Sequence, residues 1–337
     1  MDTKFLEEMI QTMSVSGYEE ELQAKVIKHV EPFADKILRD ATGNVISVIN
    51  PGSANKIMLS GHIDEIGLVI VNITSDGYLK VVKAGGIRPV LYLGTHVQIK
   101  TKNGIVAGVV VTNSSLTSNA NVKDTDLFID IGATSKEDAL KYVQVGDSVC
   151  AATDFRYLIN NRMAARAMDD RIGAFIILEV LRRAKERGCT NGVYASTSVG
   201  EETTMRGAWW ASQKIKPSVG IAVDVTFAVD HPGGDPNFGG DIKLDGGPSL
   251  CHSSIVSKVI NNRLDELAVK LKMPIQHEVS TAYTHTDADK IHFSNDGVPV
   301  ALVSIPLRYM HSSIEVLSLT DVENIIELLV EYVCTYE

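Results

Sequence analysis

Ala167-Met168-Asp169-Asp170-Arg171-Ile172-Gly173 is the stretch on which the reading of this 337-residue chain turns. Behind it, Ala174 to Arg187 carries Ile176, Ile177, Val180, Leu181 and Ala184 on one stripe and Glu179, Arg182, Arg183 and Lys185 on the other, the spacing of an amphipathic helix. Two adjacent carboxylates thus stand at the mouth of a long helix. Acids in a first helical turn suit the positive end of the helix dipole, and a lone Asp-Asp pair needs no further explanation. An unpaired buried carboxylate is costly, however, and a bound cation removes that cost.

Outward from this stretch the chain alternates strand and helix. Ser16 with Glu19 reads as a capping box opening a helix from about Gly17 to Pro32. A turn at Ala41 to Asn44 leads to a strand over 44–49, and Lys56 to Gly61 is a short apolar strand that stops at His62-Ile63-Asp64-Glu65. Downstream, Gly192 to Val199 is a strand running into Gly200-Glu201-Glu202, and Pro217 to Val225 is another, ending in Asp224-Val225-Thr226. Ser253 to Leu271 has helical spacing, Pro299 to Ile305 is a buried strand ahead of Arg308-Tyr309-Met310-His311, and Thr320 with Glu323 reads as a second capping box for a closing helix.

Between these flanks the texture changes to short alternating strands: 78–82, 96–100, 105–111, 127–131 and 147–151, with Lys102-Asn103-Gly104 as a hairpin turn. The expected architecture is α/β, with an inserted β-barrel or sandwich domain. Residues 1–70 plus 161–337 would form the catalytic unit and 71–160 the insert. The polar loop from Asn113 to Asp126 is expected to be mobile.

Composition narrows the partners. With 45% hydrophobic residues the chain can bury a sizeable core, yet no apolar run approaches the roughly 18 residues of a membrane span. The first residues lack a signal-peptide pattern, so a soluble cytoplasmic protein is expected. A formal charge of −10 without a basic patch argues against nucleic acid. Cys150, Cys189, Cys251 and Cys334 show no CxxC spacing and fit reduced thiols.

His62, Asp169-Asp170, Glu201-Glu202, Asp224 and His311 share one property: each stands near the C-terminal end of an expected strand or at the start of the following helix. Ligands of open α/β sheets bind in the crevice outside those strand ends. Two imidazoles and several carboxylates without thiolates form an N/O donor set for Zn²⁺, Co²⁺ or Mn²⁺. A shared carboxylate plus a His and a carboxylate per ion gives two three-ligand sites with open positions, the device by which hydrolases lower the pKa of a bridging water. If Glu201 and Glu202 lie on extended backbone, their side chains point apart, one toward the metal and one over the water. Asp64, two residues after His62, can hold the second nitrogen of that imidazole.

These motifs carry a resemblance that covers essentially the whole chain. Ser-Gly-Tyr-Glu at 16–19, Asp-Ala-Thr-Gly-Asn at 40–44, Gly-His-Ile-Asp-Glu-Ile-Gly at 61–67, Ile-Asp-Ile-Gly-Ala at 129–133, Met-Asp-Asp-Arg-Ile-Gly at 168–173, Gly-Glu-Glu at 200–202, Val-Asp-Val-Thr at 223–226 and Arg-Tyr-Met-His-Ser at 308–312 are together similar to the TET-type tetrahedral dodecameric aminopeptidases. Glutamyl aminopeptidases and relatives with glucanase or cellulase names belong to the same group. The resemblance implies that His62 and Asp224 bind one metal, Glu202 and His311 the other, and that Asp169 bridges them. It further implies Glu201 as general base, Asp64 as the partner of His62, a phosphorylase/hydrolase-like catalytic domain (an α/β/α sandwich with a mixed sheet), an inserted β-barrel-like domain used in dimerisation, and dimers assembled into hollow dodecamers.

The chain departs from that pattern at His285-Thr286-Asp287-Ala288-Asp289, at Thr203-Thr204, and in the 113–126 loop, which lacks the usual Pro and His. The departures spare the metal ligands and bear on side-chain specificity and assembly; His285 is a candidate for the substrate pocket. Arg308 can favour acidic side chains or pair with a neighbour.

The expected reaction is removal of N-terminal amino acids from peptides, with two divalent ions, Zn²⁺ or Co²⁺ foremost, and Glu201 moving the proton. The alternatives are an N-acyl amino-acid deacylase or a dipeptidase-type hydrolase of the same metal chemistry. A glycosidase would need paired carboxylates flanking a sugar bond and has no use for His62 and His311. A metal-binding scaffold without turnover is the remaining reading.

Overall fold

A computed structural model describes residues 1–119, 121–237 and 239–337, so Ala120, within the loop expected to be mobile, lies outside it. The N-terminal helices α1 (Thr3–Gln11) and α2 (Glu20–Val30) precede β1 (Lys36–Arg39), β2 (Val45–Ile49) and β3 (Lys56–His62). The chain then leaves the main sheet through β4 (Gly67–Ile73), β5 (Leu79–Ala84), β6 (His96–Thr101), β7 (Gly104–Val110), β8 (Phe128–Asp130) and β9 (Ser148–Ala151), which close into an antiparallel barrel. Two single-turn helices, α3 (Ser114–Thr117) and α4 (Lys136–Ala139), decorate it. The Asn-Gly signal is realised as the tight β6–β7 turn, where Gly104 takes a φ of 121°.

The chain returns through β10 (Arg156–Leu158) and β11 (Arg162–Ala165), then α5 (Met168–Glu186), β12 (Gly192–Ser198), α6 (Glu201–Thr204), α7 (Arg206–Ile215), β13 (Val219–Phe227), β14 (Ser249–His252), α8 (Lys258–Leu271), β15 (Gln276–Val279), α9 (Asp287–His292), β16 (Val300–Leu307), β17 (Glu315–Ser318) and α10 (Leu319–Cys334). The eight-stranded sheet has the order β1-β2-β12-β3-β13-β16-β14-β15, and β10, β11 and β17 form a small sheet of their own. β12, β3, β13 and β16 run parallel, so their C-terminal ends share one edge.

The strand period of two sorts the core. Ile57, Leu59, Val193, Ala195, Ile221 and Val223 pack under α1, α2, α5, α8 and α10, whereas Met58, Tyr194, Ala222 and Leu302 pack under α7 and α9. The barrel has its own core around Leu68, Ile70, Val97, Ile99 and Ile129. Gly61 lets α5 lie directly on β3: a Cβ there would sit 2.6 Å from the Ala174 nitrogen. The cysteines are free thiols, Cys150, Cys189 and Cys251 being buried. Among the described residues no helix is long and apolar enough to cross a membrane.

Both expected capping boxes are replaced by other bonds. Ser16 Oγ pairs with Thr203 Oγ1 at 3.0 Å, and Glu19 Oε1 accepts the Gly17 and Gly200 amides, so α2 begins at Glu20 without a side-chain cap. At α10 the cap is Ser318, bonded to the Thr320 amide, while Glu323 reaches across to Arg183 at 2.5 Å. At α2 both members of the expected box have tertiary partners, whereas at α10 the cap lies two residues upstream and only Glu323 is drawn away by a tertiary partner. α1, a nine-residue helix capped by Asp2, adds to the expected elements; Phe5, Leu6, Met9 and Ile10, which it buries, carry the helical spacing in the sequence.

Candidate metal centre

Four parallel strands deliver the site to one edge. His62 closes β3, Asp169 lies at the kinked start of α5 on non-helical backbone (φ −76°, ψ 108°) rather than in a regular first turn, Glu201 and Glu202 begin α6 shortly after β12, Asp224 sits on β13, and His311 follows β16. All six line a single cavity of about 820 Å³. Asp64 does not line it but lies immediately behind His62.

Asp169 is central. Its Oδ1 stands 3.2 Å from His62 Nε2 and its Oδ2 3.2 Å from His311 Nε2. Glu201 Oε2 is 3.7 Å from His62 Nε2, and Glu202 Oε2 is 3.8 Å from His311 Nε2. One donor atom each from His62, Asp169 and Glu202 falls within 4.8 Å of the others, and the same holds for His62, Asp170 and Asp224.

The adjacent glutamates do not separate by a strand pleat, as the extended-backbone reading expects. Gly200, with a φ of 66°, turns β12 into a helix at once, and Glu201 and Glu202 occupy its first turn. The roughly 100° step between neighbouring helical residues fans them toward different imidazoles instead. Asp64 holds that turn in place: its Oδ1 accepts the Glu201 amide at 3.0 Å and its Oδ2 the Glu202 amide at 3.2 Å. Its Oδ1 is also 3.6 Å from His62 Nδ1, which lies nearer the Asp64 carbonyl at 3.2 Å.

Two positioning residues lie outside the expected set of site residues. Glu315, buried on β17, accepts the Met168 and Asp169 amides with Oε2 and the His311 amide with Oε1, tying two distant loops to one carboxylate. The clue available was an acid inside the otherwise apolar run Ile314 to Leu317. Asp287 lies behind the site, accepting from Ser60 Oγ at 2.9 Å and from Ser198 Oγ. Asp170, the second member of the pair, is fully buried and accepts the His62 and Gly173 amides, at 3.1 Å each. His285 lines the cavity from an exposed loop, and Arg308 is taken up by Asp230, 2.6 Å away.

The electrostatics are those of too many carboxylates in too little water. Burial pushes Glu201 well above the usual carboxylate range, against the opposing pull of His62 and with Asp224, Asp287 and Asp64 adding to it. Burial and the charge of Asp169 do the same to Glu202. Asp224 is driven up to about 8 by burial, relieved by His62 and reinforced by Asp169. Asp169 goes the other way: although burial raises it, hydrogen bonds from both imidazoles hold it below its ordinary value. His62, which burial alone would lower, is raised well above its ordinary range by Asp169, Asp64 and the nearby acids.

Such a cluster fits divalent cations. Glu202 Oε1 is buried and has no hydrogen-bond partner among the described residues, and an orphaned buried carboxylate oxygen is expensive unless something binds it. The nitrogen and oxygen donors, without thiolate, are those of a borderline divalent ion.

The profile of the M42 glutamyl aminopeptidase family matches residues 43–328. A lysyl aminopeptidase of Pyrococcus furiosus is 34% identical over 338 residues, covering 97% of this chain and 95% of that one. The TET aminopeptidase from the marine sediment archaeon Thaumarchaeota archaeon SCGC AB-539-E09 superposes with a TM-score of 0.94 at 32% identity, over 99% of this chain and 97% of its own. A Pyrococcus horikoshii TET1 peptidase, which can assemble into a tetrahedron or a large octahedral shell, gives 0.87 at 31% identity over 99% of each chain.

Proposed function

The chain belongs to the M42 glutamyl aminopeptidase family and is a peptide hydrolase, and from that premise we propose that it removes N-terminal amino acids from peptides with two divalent metal ions. His62 and Asp224 would hold one ion, Glu202 and His311 the other, and Asp169 would lie between them. The observation that carries this reading is the placement of Asp169, one carboxylate oxygen against each imidazole, beside the unpartnered Glu202 oxygen.

When bound, two such cations, Zn²⁺ or Co²⁺ by the donor set, would lower the pKa of a water held between these ligands and would polarise the scissile carbonyl. Glu201 is the general base in this account. Its carboxylate faces His62 and is raised in pKa by burial, so it can take a proton from the attacking water and return it to the leaving nitrogen. Asp64 orients both the imidazole and the glutamate turn. The remaining acids of the cavity favour a substrate that brings a free α-ammonium.

Residues 1–70 and 161–337 serve as the catalytic unit in this proposal, and 71–160 as the dimerisation insert of a cytoplasmic homododecamer. Exposed Val71, Val90, Leu91, Ile105 and Val109 on and beside the barrel support an interface there. Aminoacyl p-nitroanilides with free and acetylated amines test the activity. Turnover of the free-amine substrates that stops on chelation is the expected result; turnover of the acetylated substrates alone would replace the reading with a deacylase.

A further inference from the structure

The same cavity carries one carboxylate that the chemistry above does not use. Glu278 is half-buried on the edge strand β15, and its side chain crosses the sheet into the cavity wall. Oε1 accepts from Ser304 Oγ at 2.5 Å, and Oε2 accepts from Thr226 Oγ1. Both partners are neutral hydroxyls. Among the described residues Glu278 makes no ion pair, and Lys290, which also lines the cavity, is exposed and does not neutralise it.

Its position relative to the metal centre is fixed by register. Ser304 pairs across the sheet with Asp224, and Thr226 lies two residues beyond Asp224 on the same face of β13. One strand spacing and one pleat repeat separate such positions, so the Glu278 carboxylate is anchored about 5–7 Å from the Asp224 backbone. An amino acid whose α-amine sits at the acidic cluster would project its side chain over this distance, the reach of the four-carbon stem of lysine.

We propose that Glu278 selects the first residue of the substrate, and that the class it selects is cationic, lysine or arginine. A charged partner on a carboxylate already accepting two hydroxyl hydrogen bonds completes its shell, whereas an aliphatic side chain leaves it without a counter-charge. Burial also raises the pKa of Glu278, with only the Ser304 and Thr226 hydrogen bonds opposing, so a substrate cation relieves a penalty the free enzyme carries. Phe227 and Ile242 line the same cavity and suit the apolar stem of such a side chain.

The inference rests on the aminopeptidase reading, and one assay separates the two. The metal-loaded enzyme is given Lys-, Arg-, norleucyl-, Leu- and Glu-p-nitroanilide. The expected result is a kcat/KM at least about tenfold higher for Lys and Arg than for norleucine, which matches the lysine stem without its charge. In Glu278→Gln, which keeps the size and an acceptor, the Lys-to-norleucine ratio should fall by about tenfold or more. A wild-type enzyme that prefers norleucine, Leu or Glu overturns the assignment whether or not the variant folds, as does a ratio unchanged in a folded variant. Hydrolysis of none of the five would overturn the aminopeptidase reading itself.

Discussion

The carboxylate of Asp64 accepts the backbone amide of Glu201 at 3.0 Å while standing 3.6 Å from the Nδ1 of His62. One buried acid therefore fixes an imidazole of the cluster and the turn that presents the proposed base. Asp64→Asn keeps the volume but removes the charge and one of the two acceptors of the Glu201 and Glu202 amides. Outer-shell changes of this kind lower metal affinity or activity by about 10–100-fold, and kcat/KM measured beside bound metal should fall in that range. An unchanged kcat/KM would deny Asp64 its positioning role.

Glu201→Gln should separate binding from chemistry. The variant cannot accept a proton, so kcat is expected to drop by about 10²–10⁴-fold while metal content stays at the wild-type level. Elemental analysis together with steady-state kinetics checks both halves. A variant with wild-type turnover would remove Glu201 from the mechanism.

The scaffold beneath the site holds a buried ion triad. Glu65 receives both Arg166 and Arg171, whose side chains are almost wholly excluded from water, and although burial raises its pKa the two guanidiniums hold it below the usual carboxylate range. Glu65→Gln leaves two buried cations without their counter-charge, a loss of about 3–5 kcal/mol. Thermal denaturation should show a lower midpoint or faster inactivation; a wild-type melt would mean that the guanidiniums find other partners.

Gly61→Ala tests the close approach of β3 and α5. A methyl group there would lie 2.6 Å from both the Ala174 nitrogen and the Gly173 carbonyl carbon, so the strand carrying His62 and the helix carrying Asp169 must move apart. Overpacking typically costs about 1–3 kcal/mol, and activity should fall further than the melting temperature alone accounts for. Full activity at full stability would contradict that close packing.

Away from the site, Asp321 gives a pH dependence of opposite sign to that of most acids. It is buried, and burial drives its pKa up to about 6 although it accepts the Gly247 and Asp245 amides. A folded-state pKa above the unfolded value of about 4 means that the native state binds the proton more tightly. Its contribution therefore disfavours folding progressively from about pH 4 to about pH 6 and fully above that, by roughly 3 kcal/mol. Denaturant midpoints should shift in favour of Asp321→Asn relative to the wild type as pH rises across this window, because the variant lacks the falling contribution; a difference that stays constant with pH would rule the contribution out.

The sequence makes the strand-helix alternation visible because β3, β12, β13 and β16 are apolar runs with a polar group in or just beyond their C-terminal portions: His62 closing β3, Asp224 within β13, and Glu201 and His311 shortly after β12 and β16. Their parallel order is what brings those ends to one edge. What stays hidden is whatever depends on tertiary pairing. Ser16 and Glu323 look like members of capping boxes until Thr203 and Arg183 engage them, Glu201 and Glu202 look extended until the left-handed Gly200 turns them, and Glu315 looks like an ordinary strand residue until the fold sets it against Asp169 and His311. Glu278 is no more visible, since nothing in Gln276-His277-Glu278-Val279 points to a cavity reached only through the pairing of β15 with β14.

The central claim is that Asp169, set between His62 and His311, shares two divalent cations with its neighbours. Inductively coupled plasma mass spectrometry on the purified wild-type protein and on Asp169→Asn tests it most directly, after equilibration with Zn²⁺ or Co²⁺ and removal of free ion. The account predicts about two ions per chain in the wild type and a clear loss of at least one in the variant. A wild-type chain that retains no ion, or a variant that retains as many as the wild type, would contradict it.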